Sequence, residues 1–143
     1  MAITLAICTS FNVELLKGVH NFTASTGNTF NLALYTSSAT LGAGTTAYTT
    51  SDEVTGAGYT AKGNALTSVT PVADGTTAVC DFADTSFTSA TFTANGCLIF
   101  NDSATGDPAV CAVAFGGDKT VSSGTFTIQF PTAAATTAIV RIA

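Results

Sequence analysis

Between Gly124 and Phe130 the chain reads GTFTIQF, in which Phe126, Ile128 and Phe130 alternate with Thr125, Thr127 and Gln129. Successive side chains of an extended strand point to opposite faces, so this segment has one apolar face and one hydroxyl-bearing face. Residues 29–36 repeat the pattern: Phe30, Leu32 and Leu34 are expected to face a core, with Thr29, Asn31 and Ala33 facing out. Threonine dominates the polar positions. Its branched Cβ suits a pleated sheet while its hydroxyl keeps the outer face wet. A chain patterned this way is constrained to be mostly β.

Further strand signals recur at short intervals. Residues 2–8 (AITLAIC) form a plausible first strand, and 64–70 and 76–82 flank Asp74-Gly75, a dipeptide suited to a tight hairpin turn. In 86–93 the odd spacing of Phe87 and Phe92 points to a bulge. Residues 96–101 and 108–115 flank the turn-forming run Asp102–Asp107, which predicts a second hairpin. Both of its strands are apolar on both faces, so they belong at the centre, covered by a second sheet, a helix or a partner. Residues 137–142 supply the last strand. One helix is predicted over 11–20: Ser10 as its N-cap, Glu14 favourably placed near the start of its dipole, and Phe11, Leu15, Leu16 and Val19 as its apolar stripe. With about eight strands and one short N-terminal helix, the simplest arrangement is an all-β, two-sheet antiparallel β-sandwich of jelly-roll or immunoglobulin-like form. No linker or composition break divides it, so residues 1–143 are expected to be one domain.

Charge narrows the function classes. Charged residues make up 9% of the chain, against roughly 25% in typical soluble domains. The net charge is −5, with Lys17, Lys62, Lys119 and Arg141 the only cations. Nucleic-acid binding gathers many cations on one face, so neither nucleic acid nor an anionic membrane surface is an expected partner. No apolar run approaches the roughly 18 residues of a membrane helix. The N-terminus lacks the positive n-region of a secretory signal.

The reactive residue types form no recognisable constellation. His20 is the only histidine, and with Glu14, Asp81 or Ser37 it could make a hydrolytic set only at a specific geometry; a solvent-facing or capping histidine is the simpler reading. The carboxylates are scattered, and no tryptophan lines a sugar cleft. Asn101, Asp102 and Asp107 make the best candidate calcium loop, although turn chemistry explains them equally well. Gly56-Ala57-Gly58 lacks the following lysine and helix of a phosphate loop and reads as a glycine turn. Cys8, Cys80, Cys97 and Cys111 sit in apolar β-runs without metal spacing and read as buried thiols, with disulfides the alternative. Neither an enzyme nor a cofactor is expected.

The remaining feature is the segment between residues 36 and 64, too long for an ordinary connection. Tyr35, Tyr48 and Tyr59 stand in or beside it, and tyrosine brings contact area with a hydrogen-bonding tip. Tyr35, Leu41, Tyr48, Asp52, Glu53 and Tyr59 are therefore the candidate protein-contact residues. The alternative is that this segment packs over its own sandwich.

Landmarks across the chain carry a resemblance: LLKGVHNF, FNLALYTSSATL, TAYTTSDEVTGAGYTAKG, AVCDFADTSFTSATFTANGCLIFN, AVAFGGDKTVSSGTFTIQFPT and IVRI. From end to end it is similar to small virion structural proteins of tailed bacteriophages. The chain departs from that pattern at Phe87, where a tryptophan often stands. It departs again at Asn95-Gly96-Cys97, where Arg-Gly is common, and at Gly116-Gly117 in a turn usually of DFG type. The resemblance implies a non-enzymatic virion component assembled in the host cytoplasm. A capsid decoration or cement protein comes first, then a tail, neck or baseplate part, then a carbohydrate- or receptor-binding module. The implied partners are the major capsid protein or other virion proteins, with homo-oligomers or lattice-ordered copies of the chain itself.

Overall fold

The computed structural model describes residues 2–143. It is an all-β sandwich of two antiparallel sheets with one helix. The strands are β1 (Ala6–Ile7), β2 (Phe30–Tyr35), β3 (Asn64–Ala65), β4 (Ser68–Asp74), β5 (Thr77–Phe82), β6 (Thr85–Asn101), β7 (Ala109–Ile128) and β8 (Val140–Ile142); α1 spans Thr9–Leu16. Five strands form the larger sheet in the order β1-β7-β6-β2-β3, and three form the smaller in the order β4-β5-β8.

Two pairs of expected strands are each one continuous strand. Segments 86–93 and 96–101 merge into β6, and 108–115 and 124–130 merge into β7. The β6–β7 hairpin turns through residues 102–108 and runs from Phe100↔Ala109 out to Thr85↔Ile128. It absorbs the sequence irregularities as register shifts rather than strand ends. One falls between Phe87 and Ala90, where the bulge was expected. Another sets Phe115–Asp118 opposite Asn95, with Gly116 at φ 76° and Gly117 at φ 143°. The Asp74-Gly75 hairpin joins β4 and β5 as the turn chemistry predicts, with Asp74 paired to Thr77.

Strand β2 corrects the expected alternation. All six of its residues are buried, including Asn31 and Ala33, which were assigned outward. Its inner-face residues Leu32 and Leu34 pair across to Ile99 and Cys97, whereas Asn31 and Ala33 pair with Phe100 and Leu98 on the opposite face. That second face is covered by the 36–63 segment of the same chain, where Tyr48 stacks on Phe100 at 4.8 Å between ring centroids. The larger sheet is therefore enclosed between the smaller sheet and this segment, as a strand run apolar on both faces requires. Between the sheets, Phe22 stacks on Phe30 at 4.2 Å and Phe82 packs against both rings.

The helix is shorter and earlier than the periodicity predicts. Cys8 takes the N-cap position, so Ser10 lies inside the first turn with its hydroxyl buried and unpartnered. Gly18, at φ 73°, ends the helix in the left-handed conformation common just past a helix terminus. Only Phe11 is fully buried, and Leu16 points to solvent at 92% exposure. The helix thus covers the sheet through one ring and a half-buried Leu15, not through a full stripe.

Candidate functional site

The long segment is laid along the free edge of β2 before it reaches β3. Thr36 donates its amide to the Asp52 carbonyl at 2.9 Å, Val54 donates to the Leu34 carbonyl at 2.9 Å, and Tyr35 and Glu53 form an antiparallel bridge. Further along, Ala57 pairs with Thr91 on β6. These backbone bonds bring Glu53 inward. Its Oε2 accepts the Tyr48 hydroxyl at 2.7 Å, and its Oε1 accepts the Tyr59 hydroxyl at 2.7 Å and the Lys62 amide at 2.8 Å. The Tyr59 oxygen in turn accepts the Leu34 amide at 2.9 Å. Tyr35 donates to the Thr49 carbonyl at 2.7 Å.

All three phenols are harder to ionise than a free tyrosine, and burial is the main cause in each. For Tyr48 the value is pushed up to about 12, the bond to the Glu53 carboxylate adding to the burial. Tyr59 and Tyr35 move further in the same direction.

Of the residues singled out in the sequence, Tyr48, Glu53 and Tyr59 converge on one point. Tyr35 is fully buried and Leu41 is 4% exposed, so both belong to the protein's own core and offer no contact surface in this conformation. Leu41 instead bridges Ile3 of the N-terminal segment. Asp52 alone is well exposed, in a turn at φ 61°. The tyrosines therefore fasten the segment to its own sandwich.

Lys62 completes the arrangement. Its Nζ lies 2.8 Å from both Asp102 Oδ1 and Asp107 Oδ2 and 5.7 Å from the centre of the Tyr48 ring. The two carboxylates of the candidate calcium loop thus hold an ammonium, and their bonds to it raise the lysine's pKa. Among the described residues no group of three or more His, Cys, Asp or Glu is placed to hold a metal ion. The role of Lys62 was not read from the sequence. In a chain with four cations, a lysine three residues beyond the last tyrosine of the segment was the available signal.

His20 is neither solvent-facing nor a cap: its side chain is wholly buried. The Asn101 amide nitrogen donates to Nδ1 at 3.1 Å, which leaves the proton on Nε2 to be donated to Glu14 Oε2 at 2.8 Å. Both ring nitrogens are engaged, and neither faces a nucleophile. Asn101 is fully buried, and its carbonyl oxygen accepts the Ser103 amide at 3.0 Å. This network joins the end of α1 to the tip of the β6–β7 hairpin. Burial lowers the His20 pKa and outweighs the opposing bond and charge of Glu14.

All four cysteines are free thiols and buried. Burial pushes the Cys8 thiol up to about 11 and those of Cys80 and Cys97 up to about 12.

The smaller sheet leaves the larger one uncovered at one side. An apolar cleft of about 460 Å³ opens there between β1 and the residues before β8, lined by Leu5, Ile7, Cys111, Val113 and Ile139, with Arg141 at its edge. Leu5 is 70% exposed beside it. The six large hydrophobic side chains most exposed among the described residues are all aliphatic, while Phe115, Phe126 and Phe130 are partly buried.

No family model, curated protein or solved structure matches this chain.

Proposed function

We propose that the protein is a non-enzymatic virion structural component of a tailed bacteriophage, most specifically a capsid decoration or cement protein. The virion assignment rests on the end-to-end resemblance of the sequence landmarks to that class of protein. One structural observation carries the assembly reading. The polar side chains around Glu53 and His20 are tied to one another inside the fold, while aliphatic side chains at Leu5 and on α1, β4 and β8 are left open to solvent.

Such a protein would act by burial. Apolar surface removed from water across neighbouring capsid subunits stabilises the bound state at roughly 25 cal/mol per Å² before association costs. The shell gains stability because the clip binds only its assembled form. A low content of charge removes the repulsion that would oppose many copies packed side by side. The most exposed large hydrophobic side chains are aliphatic, which favours protein contact over sugar stacking.

Copy number in the particle tests this reading. Quantitative mass spectrometry of purified virions carrying the chain should give a ratio to the major capsid protein near unity. A small fraction of that ratio would move the chain to the neck, tail or baseplate. Its absence from particles would overturn the virion assignment.

A further inference from the structure

We propose that the Asn101 amide couples the charge of His20 to the tip of the β6–β7 hairpin: a proton taken up by the buried ring turns that amide over and loosens the turn at residues 102–106, while both sheets stay folded. Three acceptors surround Asn101 Nδ2, namely His20 Nδ1 at 3.1 Å, Asn28 Oδ1 at 3.1 Å and the Val19 carbonyl at 3.4 Å. On the other side of the amide, Oδ1 accepts the Ser103 backbone N–H at 3.0 Å. These neighbours fix which end of the amide faces the ring, and the ring must then present a bare Nδ1. Only the neutral tautomer with its proton on Nε2, donated to Glu14, satisfies both sides.

A second proton makes both ring nitrogens donors. Nδ1–H would then point at the Nδ2 hydrogens, in a site where the His20 side chain and Asn101 are both fully buried. Two buried donors facing each other are costly, because neither finds an acceptor. Half a turn of the Asn101 amide brings Oδ1 to the ring and removes that clash. It also sets Nδ2 against the Ser103 N–H and takes the donor away from Asn28 and Val19. The cost thus passes from the ring to the hairpin tip. The tip can yield: Asp102, Ser103, Thr105 and Gly106 are exposed, so moving them uncovers little apolar surface. Its ties to the start of β2 are the Asp102 amide to the Thr29 carbonyl at 2.9 Å and the Thr29 amide to Ser103 Oγ at 2.7 Å. Around the ring, α1 supplies Glu14 and Phe11, the segment after it Phe22, and β2 Phe30. Glu14 is the only charged group among them. Its charge and hydrogen bond favour the protonated ring, which burial opposes. Beyond Asn101 the nearest charges are Asp102 and its partner Lys62, so a loosened tip also disturbs that ion pair.

Nuclear magnetic resonance of the full chain, titrated from pH 7.5 to 4.5, tests the coupling. The His20 ring protons, the Asn101 side-chain amide and the backbone amides of Thr29 and Ser103 should move with one midpoint, below the ordinary 6.5 of a histidine. The amides of Leu32 and Ile99, paired in the middle of the larger sheet, should keep their positions. Glu14→Gln leaves an acceptor for Nε2–H and removes the charge. It should lower the proton affinity of His20 about threefold or more, and the tip signals should follow to the same lower pH. A purely structural tie between Asn101 and the tip would not respond to a charge on α1. The titration of the unaltered chain stands whether or not that variant folds. A ring that titrates while Asn101 and Ser103 stay unmoved overturns the proposal, as does a ring still neutral at pH 4.5. So does a tip that opens at the same pH in Glu14→Gln, or loss of every amide signal together at the His20 midpoint.

Discussion

Tyr59 links Glu53 to the backbone of β2: its hydroxyl donates to Glu53 Oε1 at 2.7 Å and accepts the Leu34 amide at 2.9 Å. The carboxylate is thereby the fixed point for the 36–63 segment, since it also receives Tyr48 and the Lys62 amide. Removing it leaves three donors without their acceptor. A hydrogen bond to a charged group contributes about 1.5–3 kcal/mol. Glu53→Ala is therefore expected to cost about 3 kcal/mol or more, and Tyr59→Phe about 1–2 kcal/mol. Urea unfolding followed by circular dichroism checks both, and a Glu53→Ala loss below that of Tyr59→Phe would show that the carboxylate is not the anchor.

Stability should fall on mild acidification, through His20. Its folded pKa is below the ordinary 6.5 because the ring is buried, so the unfolded chain binds the proton more readily. The unfolded state thus holds more protons as pH drops below 6.5, and stability declines through that window. The contribution is complete above 6.5 and is lost as pH falls to the folded value. His20→Asn should reduce the dependence of the urea midpoint on pH between 5 and 7, at the cost of a lower midpoint at pH 7.5. An unaltered slope in the variant would assign the acid sensitivity to the carboxylates instead.

The alkaline side runs the other way. Tyr48, at about 12, and the still higher Tyr35 and Tyr59 have folded values above the unfolded 10, so their contribution is intact below pH 10 and is lost as pH rises past it. Absorbance at 295 nm should stay flat up to pH 10.5 while the protein is folded, then rise together with loss of the circular dichroism signal. A separate earlier rise would mean that a phenol is accessible in the native state.

Thiol reactivity should report on folding. The thiolate is the reactive form, and burial raises the thiol pKa values, to about 11 for Cys8 and about 12 for Cys80 and Cys97. A disulfide reagent at pH 8 should label less than about one thiol per chain in an hour. In urea it should label all four.

The parts of this molecule legible in its sequence are those that local chemistry decides. Asp74-Gly75 named its turn, the run 102–107 named the other, and Phe30, Leu32 and Leu34 named the inner face of β2. What failed was anything set by distant cover. Asn31 and Ala33 read as outward because nothing local shows that Tyr48 and its neighbours come back over them. Register shifts inside β6 and β7 looked like strand ends, since a bulge and a turn use the same small residues. His20 looked solvent-bound because its partners, Glu14 and Asn101, are 6 and 81 residues away in sequence. The candidate site was half legible: its residue types were visible, but their use as internal ties depended on Lys62 and on the tip of a hairpin formed by other strands.

Two glycines in the same backbone conformation separate strain from crowding. Gly63 has φ 64° and Gly75 has φ 63°, so replacing either with alanine imposes the same left-handed penalty, about 1–2 kcal/mol. Their surroundings differ. A Cβ on Gly75 would meet nothing within 4 Å, whereas a Cβ on Gly63 would overlap the Leu32 carbonyl oxygen and approach the Ala33 Cα to 3.0 Å. The obstacle is the backbone of β2, which is buried along its whole length and cannot move aside without disturbing its pairing with β6. Gly75→Ala should therefore lower stability by the conformational term alone. Gly63→Ala should cost at least about 2 kcal/mol more, as overpacking in a rigid region does. It should also loosen the Lys62 amide from Glu53, one residue away, and so increase hydrogen exchange across residues 48–62. Equal losses for the two variants in urea unfolding would mean that the segment is not pressed against β2 at Gly63.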